Sequence, residues 1–176
     1  MPAPIRVCFV CSGNICRSPT AEVVLNHLAA EAGLDDLVEA RSAGTGSWHE
    51  GDDMDERSRR ALTDAGYDVP LHRARQFDVA DLAAYDVVVA LDAGHLDMLD
   101  QLAARTTDPD ASRAKLVLLR SYDPQLRPGE TPEIADPYYG GRRGFLDVLG
   151  QIERSCAGLL GALRADVAQQ TESPPR

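Results

Sequence analysis

A short stretch near the N-terminus restricts the fold of this chain more than any other feature. Ile5 to Val10 (IRVCFV) is an apolar, β-branched run of the kind that forms a buried strand. Cys11 to Arg17 follows as a loop whose Gly13 and Asn14 tolerate left-handed backbone angles. Ser18-Pro19 then predicts a helix start, with Ser18 as the N-cap and proline at the first helical position. The segment therefore predicts a strand, a tight loop and a helix in direct succession.

The loop has the form C-x5-R-S, and this spacing suits an oxyanion. Five residues between Cys11 and Arg17 can wrap one turn of backbone around a tetrahedral anion, with their N–H groups pointing inward at a helix N-terminus. The Arg17 fork can bind two phosphoryl oxygens. The same positive surroundings favour a nucleophilic Cys11 thiolate, to which Ser18 can donate a hydrogen bond. The alternative is a buried core cysteine beside a tight turn. The loop residues expected to bind the substrate are Ser12, Gly13, Asn14, Ile15 and Cys16.

The rest of the chain alternates strand and helix patterns. Strands are predicted at 38–43, 86–91 and 115–119, and helices at 18–32, 56–65, 79–84, 93–104 and 145–167. Residues 121–141 form a long proline-rich loop, which in a compact domain is usually functional or disordered. This alternation predicts an α/β fold of three layers, with a parallel sheet covered by helices on both faces. We expect one domain over 1–168 and a disordered polar tail over 169–176.

Charge and cysteine content narrow the choice of partners. The formal net charge of −10 argues against nucleic acid or an anionic membrane surface as a partner, and no apolar run is long enough for a membrane helix. The four cysteines are Cys8, Cys11, Cys16 and Cys156, and three of them crowd into nine residues, which is unlike a disulfide framework. We therefore expect a cytoplasmic protein with reactive thiols, although export without a signal peptide stays open.

Two further motifs give weaker signals. Cys8-x-x-Cys11 has the spacing of a metal or redox pair, but Cys8 lies inside the predicted strand and no second pair follows, so no metal is expected. The segment Gly44-Thr-Gly46 begins like a dinucleotide-binding fingerprint, but His49 stands where the third glycine belongs.

Three segments in their family order resemble the low-molecular-weight protein tyrosine phosphatases. They are VCFVCSGNICRSPTAE (Val7 to Glu22), SAGTGSWHEG (Ser42 to Gly51) and ADPYYG (Ala135 to Gly140), and the resemblance ends at about Val167. It implies a four-stranded parallel sheet with helices on both sides, no metal or organic cofactor, and a bacterial member as the nearest type. It also implies phosphotyrosine-containing proteins as partners and inorganic phosphate as a product.

The resemblance implies a role for each matching residue. Cys11 would be the nucleophile, Arg17 the phosphate binder and Asp136 the general acid. Asn14 would hold the loop in its strained form, with Ser42 and His72 as hydrogen-bond partners. Ser18 would assist the thiolate. Cys16 would form a reversible disulfide with Cys11 that protects the nucleophile from over-oxidation; the alternative is a small residue that fits the turn.

The residues themselves also support a catalytic Asp136. Expelling a phenolate needs a proton donor and hydrolysing a phosphocysteine needs a base, and one carboxyl can serve as both in turn. Pro137 biases Asp136 toward an extended backbone, whereas the alternative is a surface turn. Because Cys11 would act deprotonated and Asp136 protonated, we expect a bell-shaped pH profile rather than a rate that keeps rising with pH.

Three aromatic residues stand on polar or glycine-rich loops. Trp48, Tyr138 and Tyr139 could form a slot for a phenyl ring, which would favour phosphotyrosine over the shorter phosphoserine. The alternative is that they pack against their own loops. His27 and His95 lie on predicted helices and are expected to be solvated, and Cys156 is expected in the core.

Two other functions compete with hydrolysis. Arsenate reductases related to these phosphatases use additional cysteines in the middle of the chain, and none lies between Cys16 and Cys156. A module that binds phosphotyrosine without turnover would usually lack Cys11, Arg17 or Asp136, and all three are present. The sequence therefore favours a hydrolase.

Overall fold

The computed structural model describes residues 3–172 and contains four strands and six α-helices over that range. The strands are β1 (Ile5–Cys11), β2 (Val38–Gly44), β3 (Val87–Ala90) and β4 (Leu116–Leu118). The helices are α1 (Arg17–Glu31), α2 (Glu56–Asp64), α3 (Asp81–Ala84), α4 (Ala93–Ala103), α5 (Pro109–Arg113) and α6 (Arg142–Glu172). A 3₁₀ turn covers Leu119–Tyr122.

The four strands form one parallel sheet in the order β2-β1-β3-β4. Side chains alternate along β1, so Val7 and Phe9 belong to the core under α1, α2 and α6, while Cys8 and Val10 belong to the core under α3 and α4. Both cores exclude water from residues 7–11 of β1, which explains the apolar run after the exposed Arg6. The prediction of a parallel sheet with helices on both faces is confirmed.

The strand order places a binding crevice at one position. The chain passes from β1 to β2 on one side and reaches β3 on the other, so the order reverses next to β1. In open parallel sheets, ligands bind at such a reversal, beyond the carboxyl ends of the strands. Cys11 is the last residue of β1 and therefore stands at this point.

Two helices differ from the predictions. Helix α1 begins at Arg17 with Cys16 as its N-cap and no capping side chain, so the prediction of Ser18 as the N-cap was wrong. The Ser18 hydroxyl bonds to Cys11 and Asn14 instead. Helix α5 was not predicted, although Asp108 caps it and Pro109 is its first residue.

The C-terminal boundary also differs from the prediction. Helix α6 runs to Glu172, so a disordered tail was wrong for residues 169–172, and 173–176 lie outside the described residues. The apolar spacing fades before the helix ends, which is why sequence periodicity stopped at Val167. A single domain over 1–168 stays a prediction. No helix within residues 3–172 combines the length and apolar character needed to span a membrane.

Candidate active site

A cavity of about 270 Å³ opens at the carboxyl end of β1. The loop of residues 12–16 forms its floor, and loops after β2 and after β4 form its walls. The lining residues are Cys11, Ser12, Gly13, Ile15, Cys16, Arg17, Trp48, His49, Asp136, Tyr138 and Tyr139. The structure thus brings the predicted nucleophile, phosphate binder, acid and aromatic residues into one cavity. Because α1 begins at Arg17, the partial positive charge of its N-terminus also lies at this floor.

Cys11 is buried on the protein side and open only toward the cavity. Its Sγ lies 2.9 Å from Ser18 Oγ. Asn14 Nδ2 donates to the same Ser18 oxygen at 2.9 Å, so the Ser18 proton is left for Cys11 Sγ or for the Ala43 carbonyl oxygen at 3.3 Å. Sulfur is the nearer acceptor. The arrangement can therefore stabilise a thiolate with a hydroxyl donor.

Asn14 holds the loop in a conformation that few residues adopt. Its φ is +58°, the left-handed region, and its side chain is fully buried. Nδ2 donates to Ser18 and to Ser42 Oγ at 3.0 Å, and Oδ1 accepts from the Arg75 backbone N–H. His72 Nε2 lies 2.7 Å from the Asn14 carbonyl oxygen. The structure therefore brings Asn14, Ser42 and His72 together, and every polar atom of the Asn14 amide has a partner.

Arg17 is almost fully buried beneath the cavity and is held from behind. Its Nη1 donates to Asp92 Oδ2 and to the Ile134 carbonyl oxygen, both at 2.8 Å. Burial acts to raise the pKa of Asp92, but the His95 backbone N–H and the Arg17 guanidinium outweigh it and hold this pKa below its usual value. The ionised Asp92 therefore fixes one edge of the fork while Nη2 faces Asp136.

Asp136 reaches the cavity from the long loop before α6. Its Oδ2 lies 3.6 Å from Arg17 Nη2, and its Oδ1 accepts from the Tyr138 backbone N–H at 3.1 Å. The carboxyl is 44% exposed, in contrast to the buried Arg17. It can therefore exchange protons with water and with a ligand seated above the loop.

The three aromatic residues are unusually exposed for their size. Trp48 is 74% exposed and Tyr139 91%, and the rings of Tyr138 and Tyr139 meet edge to face at 5.0 Å. The Trp48 ring lies over Gly46, where a Cβ would stand 2.0 Å from Trp48 Cζ3. Gly46 is thus required for this position of the ring. Uncovered aromatic surface around a cavity suits a planar apolar ligand group.

Sequence reasoning missed several residues that hold the site. His95 was expected to be solvated, but it is only 4% exposed and lies behind the loop. It sits at the third position of α4 and completes a capping box with Asp92, which draws the ring inward. His49 packs its ring over Gly13. A local signal for Asp92 and His95 was present: Asp92 follows a buried strand, and His95, three residues later, has a side-chain acceptor. This spacing is typical of a capping box at a helix start.

Neither Cys156 nor Cys16 is suited to act as the nucleophile. Cys156 is fully buried in α6, as expected for a core residue, and burial raises the pKa of its thiol. Burial raises the pKa of Cys16 to about 12, so Cys16 is a neutral thiol at physiological pH. His27 is half-exposed on α1, in agreement with the prediction of a solvated side chain.

Comparison with known proteins identifies the family of this arrangement. The family model described as low molecular weight phosphotyrosine protein phosphatase matches residues 6–170. The chain is 53% identical over 162 residues to a low molecular weight protein-tyrosine-phosphatase of Streptomyces coelicolor, covering 92% of this chain and 95% of that one. It is 42% identical over 159 residues to the low molecular weight protein-tyrosine phosphatase A of Mycobacterium tuberculosis, covering 90% and 91% of the two chains.

Solved structures agree with the sequence comparison. The crystal structure of a protein tyrosine phosphatase from Entamoeba histolytica with Hepes in the active site superposes with a TM-score of 0.84 at 31% identity. The alignment covers 92% of this chain and 98% of that one. The four-stranded α/β fold and the whole of the predicted site lie within the matched region.

Proposed function

This chain belongs to the low molecular weight phosphotyrosine protein phosphatase family, and we propose that Cys11, Arg17 and Asp136 carry out its hydrolysis of phosphotyrosine through a phosphocysteine intermediate. The observation that carries the proposal is the convergence of these three residues on one cavity. A nucleophile with a hydroxyl donor, a guanidinium fixed from behind and a solvent-accessible carboxyl supply what a two-step phosphoryl transfer needs.

In the first step, the Cys11 thiolate attacks phosphorus and a P–S bond forms while the P–O bond to the phenol breaks. Asp136, protonated, gives its proton to the departing phenolate oxygen. The loop N–H groups and the Arg17 fork bind the three non-bridging oxygens, on which negative charge is held in the transition state. The products of this step are a neutral phenol, the phosphocysteine and the Asp136 carboxylate.

In the second step, the Asp136 carboxylate accepts a proton from a water molecule, whose oxygen attacks phosphorus. The P–S bond breaks, inorganic phosphate is released, and the electron pair returns to Cys11 as a thiolate. Ser18 donates its proton toward the same sulfur at 2.9 Å and so favours the leaving thiolate. The cycle restores the protonated Asp136 and the free Cys11 and needs no metal ion.

The aromatic walls favour phosphotyrosine in proteins as the substrate. The exposed surfaces of Trp48, Tyr138 and Tyr139 would cover the two faces of a phenyl ring whose phosphate rests in the loop. A phosphoserine side chain is too short to bring its phosphate down to the loop from a peptide held at the rim. We further propose a bacterial, cytoplasmic enzyme, which the actinobacterial relatives and the clustered cysteines support.

The test compares phosphotyrosine and phosphoserine versions of one peptide. The wild type should hydrolyse the phosphotyrosine peptide, Cys11→Ser should bind it without turnover, and Arg17→Ala should be nearly as inactive. Cys156→Ala is the matched control, because Cys156 is buried in α6 and does not line the cavity. Substantial turnover by Cys11→Ser would overturn the mechanism. Reduction of arsenate with thioredoxin, in place of hydrolysis, would indicate a reductase instead.

A further inference from the structure

The N-terminus of α4 contacts both ends of the phosphate-binding loop. Asp92, its N-cap, binds Arg17 at 2.8 Å, and His95, three residues later, has its Nε2 2.9 Å from Ser12 Oγ. Ser12 is the first residue of the loop and Arg17 is the residue that follows its last. One turn of helix, about 80 residues away in the chain, therefore fixes both ends of the loop at once.

The hydrogen bonds around His95 define which ring nitrogen carries the proton. Nδ1 accepts from the Asp92 backbone N–H at 3.2 Å, and Asp92 Oδ1 accepts from the His95 backbone N–H at 3.0 Å. Asp92 Oδ1 also lies 3.1 Å from His95 Nδ1. The group with hydrogen-bond geometry toward His95 Nδ1, however, is the Asp92 backbone N–H. The ring is neutral at physiological pH because burial lowers the pKa of His95 to about 4. A neutral ring that accepts at Nδ1 carries its proton on Nε2 and donates it to Ser12 Oγ.

With this assignment, the Ser12 hydroxyl accepts a hydrogen bond from His95 and keeps its own proton free to donate. The Ser12 hydroxyl accepts from His95, and its carbonyl oxygen accepts from the Gly46 backbone N–H at 3.1 Å. Within residues 3–172 the hydroxyl donates to no other group, and Ser12 lines the cavity. The hydroxyl therefore keeps its proton free to donate, and the open direction is the cavity.

We propose that His95 is a positioning residue that anchors Ser12 and turns the Ser12 hydroxyl into a hydrogen-bond donor for the phosphorylated ligand. The inference rests on the proposed function and deepens it, because it names a donor for the bound anion besides the loop N–H groups and Arg17. A cap of α4 alone would not explain the Nε2 contact, since the capping box uses only Nδ1.

One substitution separates the two roles of His95. Glutamine at the third helical position completes a capping box as well as histidine does, but its single amide cannot also reach Ser12. His95→Gln should therefore keep α4 capped and lose the Ser12 contact. His27→Gln is the matched control, because His27 is half-exposed on α1 and does not line the cavity. Ser12→Ala removes the hydroxyl directly, and Ser12→Thr keeps one.

The measurements are the dissociation constant of inorganic phosphate by calorimetry and kcat/KM for a phosphotyrosine peptide. His95→Gln and Ser12→Ala should each weaken phosphate binding roughly 10- to 100-fold, because the lost hydrogen bond is to a charged group, and should lower kcat/KM by a similar factor. The double variant should lose no more than either single variant, because both remove the same interaction. Ser12→Thr should lose less than Ser12→Ala.

Wild-type phosphate affinity in His95→Gln, or full additivity in the double variant, would overturn the proposal. If His95→Gln fails to fold, the Ser12 pair decides: equal losses in Ser12→Ala and Ser12→Thr would contradict a hydroxyl donor. Phosphate binding does not depend on turnover, so it tests His95 even if Cys11→Ser retains activity and the hydrolytic mechanism fails.

Discussion

Ser18 Oγ lies 2.9 Å from Cys11 Sγ, and the same oxygen accepts a hydrogen bond from Asn14 Nδ2. Because a thiolate has no proton to give, the Ser18 hydroxyl is the donor when Cys11 is ionised. Because Asn14 is itself fixed by Ser42, His72 and Arg75, this donor belongs to a buried network that connects the nucleophile to β2 and to the loop before α3. The position of the thiolate is thus determined by residues distant in sequence.

Ser18→Ala removes the donor to the Cys11 thiolate. We expect kcat for a phosphotyrosine peptide to fall roughly 10- to 100-fold, since a hydrogen bond to a charged group contributes about 1.5–3 kcal/mol. Alkylation of Cys11 by iodoacetate at a fixed pH should be slower than in the wild type, because the thiolate loses its hydroxyl donor. Ser121→Ala, on an exposed surface, is the control. An unchanged alkylation profile in Ser18→Ala would show that Ser18 does not stabilise the thiolate.

Gly46→Ala tests the aromatic wall without removing an aromatic ring. An added Cβ would meet Trp48 Cζ3 at 2.0 Å, so the ring must move away from the cavity. KM for a phosphotyrosine peptide should rise about 5- to 10-fold, as an aromatic contact of 1–1.5 kcal/mol implies, and Trp48→Ala should behave alike. Phosphate affinity should not change, because inorganic phosphate has no phenyl ring for Trp48 to contact.

Gly161→Ala provides the control for the Gly46 substitution, because a Cβ at Gly161 meets open space on α6. The wall has no role in recognition if Gly46→Ala and Trp48→Ala both keep the wild-type KM for the peptide.

Burial of His95 makes folding dependent on pH. Burial lowers the pKa of His95 from 6.5 to about 4. The nearby carboxylates of Asp92, Asp136 and Glu133 act to raise this pKa, but their effect is smaller. Arg17 acts in the same direction as burial. The unfolded chain therefore binds a proton that the folded chain does not between pH 6.5 and about 4, so this contribution to stability is present above pH 6.5 and is lost as the pH falls.

We expect the free energy of unfolding of the wild type to fall by roughly 2 kcal/mol between pH 7 and pH 5 through this group. His95→Gln should lack this part of the pH dependence, and His27→Gln should retain it. Urea unfolding at the two pH values measures the difference. A pH dependence in His95→Gln equal to that of the wild type would show that His95 protonates freely in the folded protein.

Cys16 can protect Cys11 from over-oxidation only if its sulfur forms a disulfide with the oxidised Cys11. Since burial raises the pKa of Cys16 to about 12, its thiolate is scarce at neutral pH and a bridge to an oxidised Cys11 should form faster as the pH rises. Mass spectrometry after mild peroxide should show a Cys11–Cys16 disulfide, and Cys16→Ala should give Cys11 sulfinic acid instead. Stable sulfinic acid at Cys11 in the wild type, with no bridge, would refute the protective role.

Local patterns were enough to predict the strand before Cys11, the loop and the position of α1, because each depends on neighbours within a few residues. They were also enough for the parallel sheet, whose buried strands read as apolar runs. The Ser18 cap was mispredicted because Cys11 and Asn14 take the hydroxyl that a free helix end would use. The pattern contained no information about that competition.

The hydrogen bonds that hold Arg17 and Ser12 from behind could not be predicted, because their partners are far apart in the chain. Asp92 meets Arg17 across 75 residues and His95 meets Ser12 across 83. Each looks like an ordinary helix residue until the order β2-β1-β3-β4 places the start of α4 beside the loop. Pairing at this distance depends on sheet order, which follows from packing and leaves no local signature.

The central claim is that a phosphoryl group passes through Cys11, and rapid quenching tests it most directly. Asp136→Ala lacks the base for the second step, while p-nitrophenyl phosphate, with its good leaving group, needs little help in the first. Acid quenching of this variant during turnover, followed by peptide mass spectrometry, should find a phosphoryl group on Cys11. No phosphorylated peptide, or a phosphoryl group on any other residue, would contradict the account.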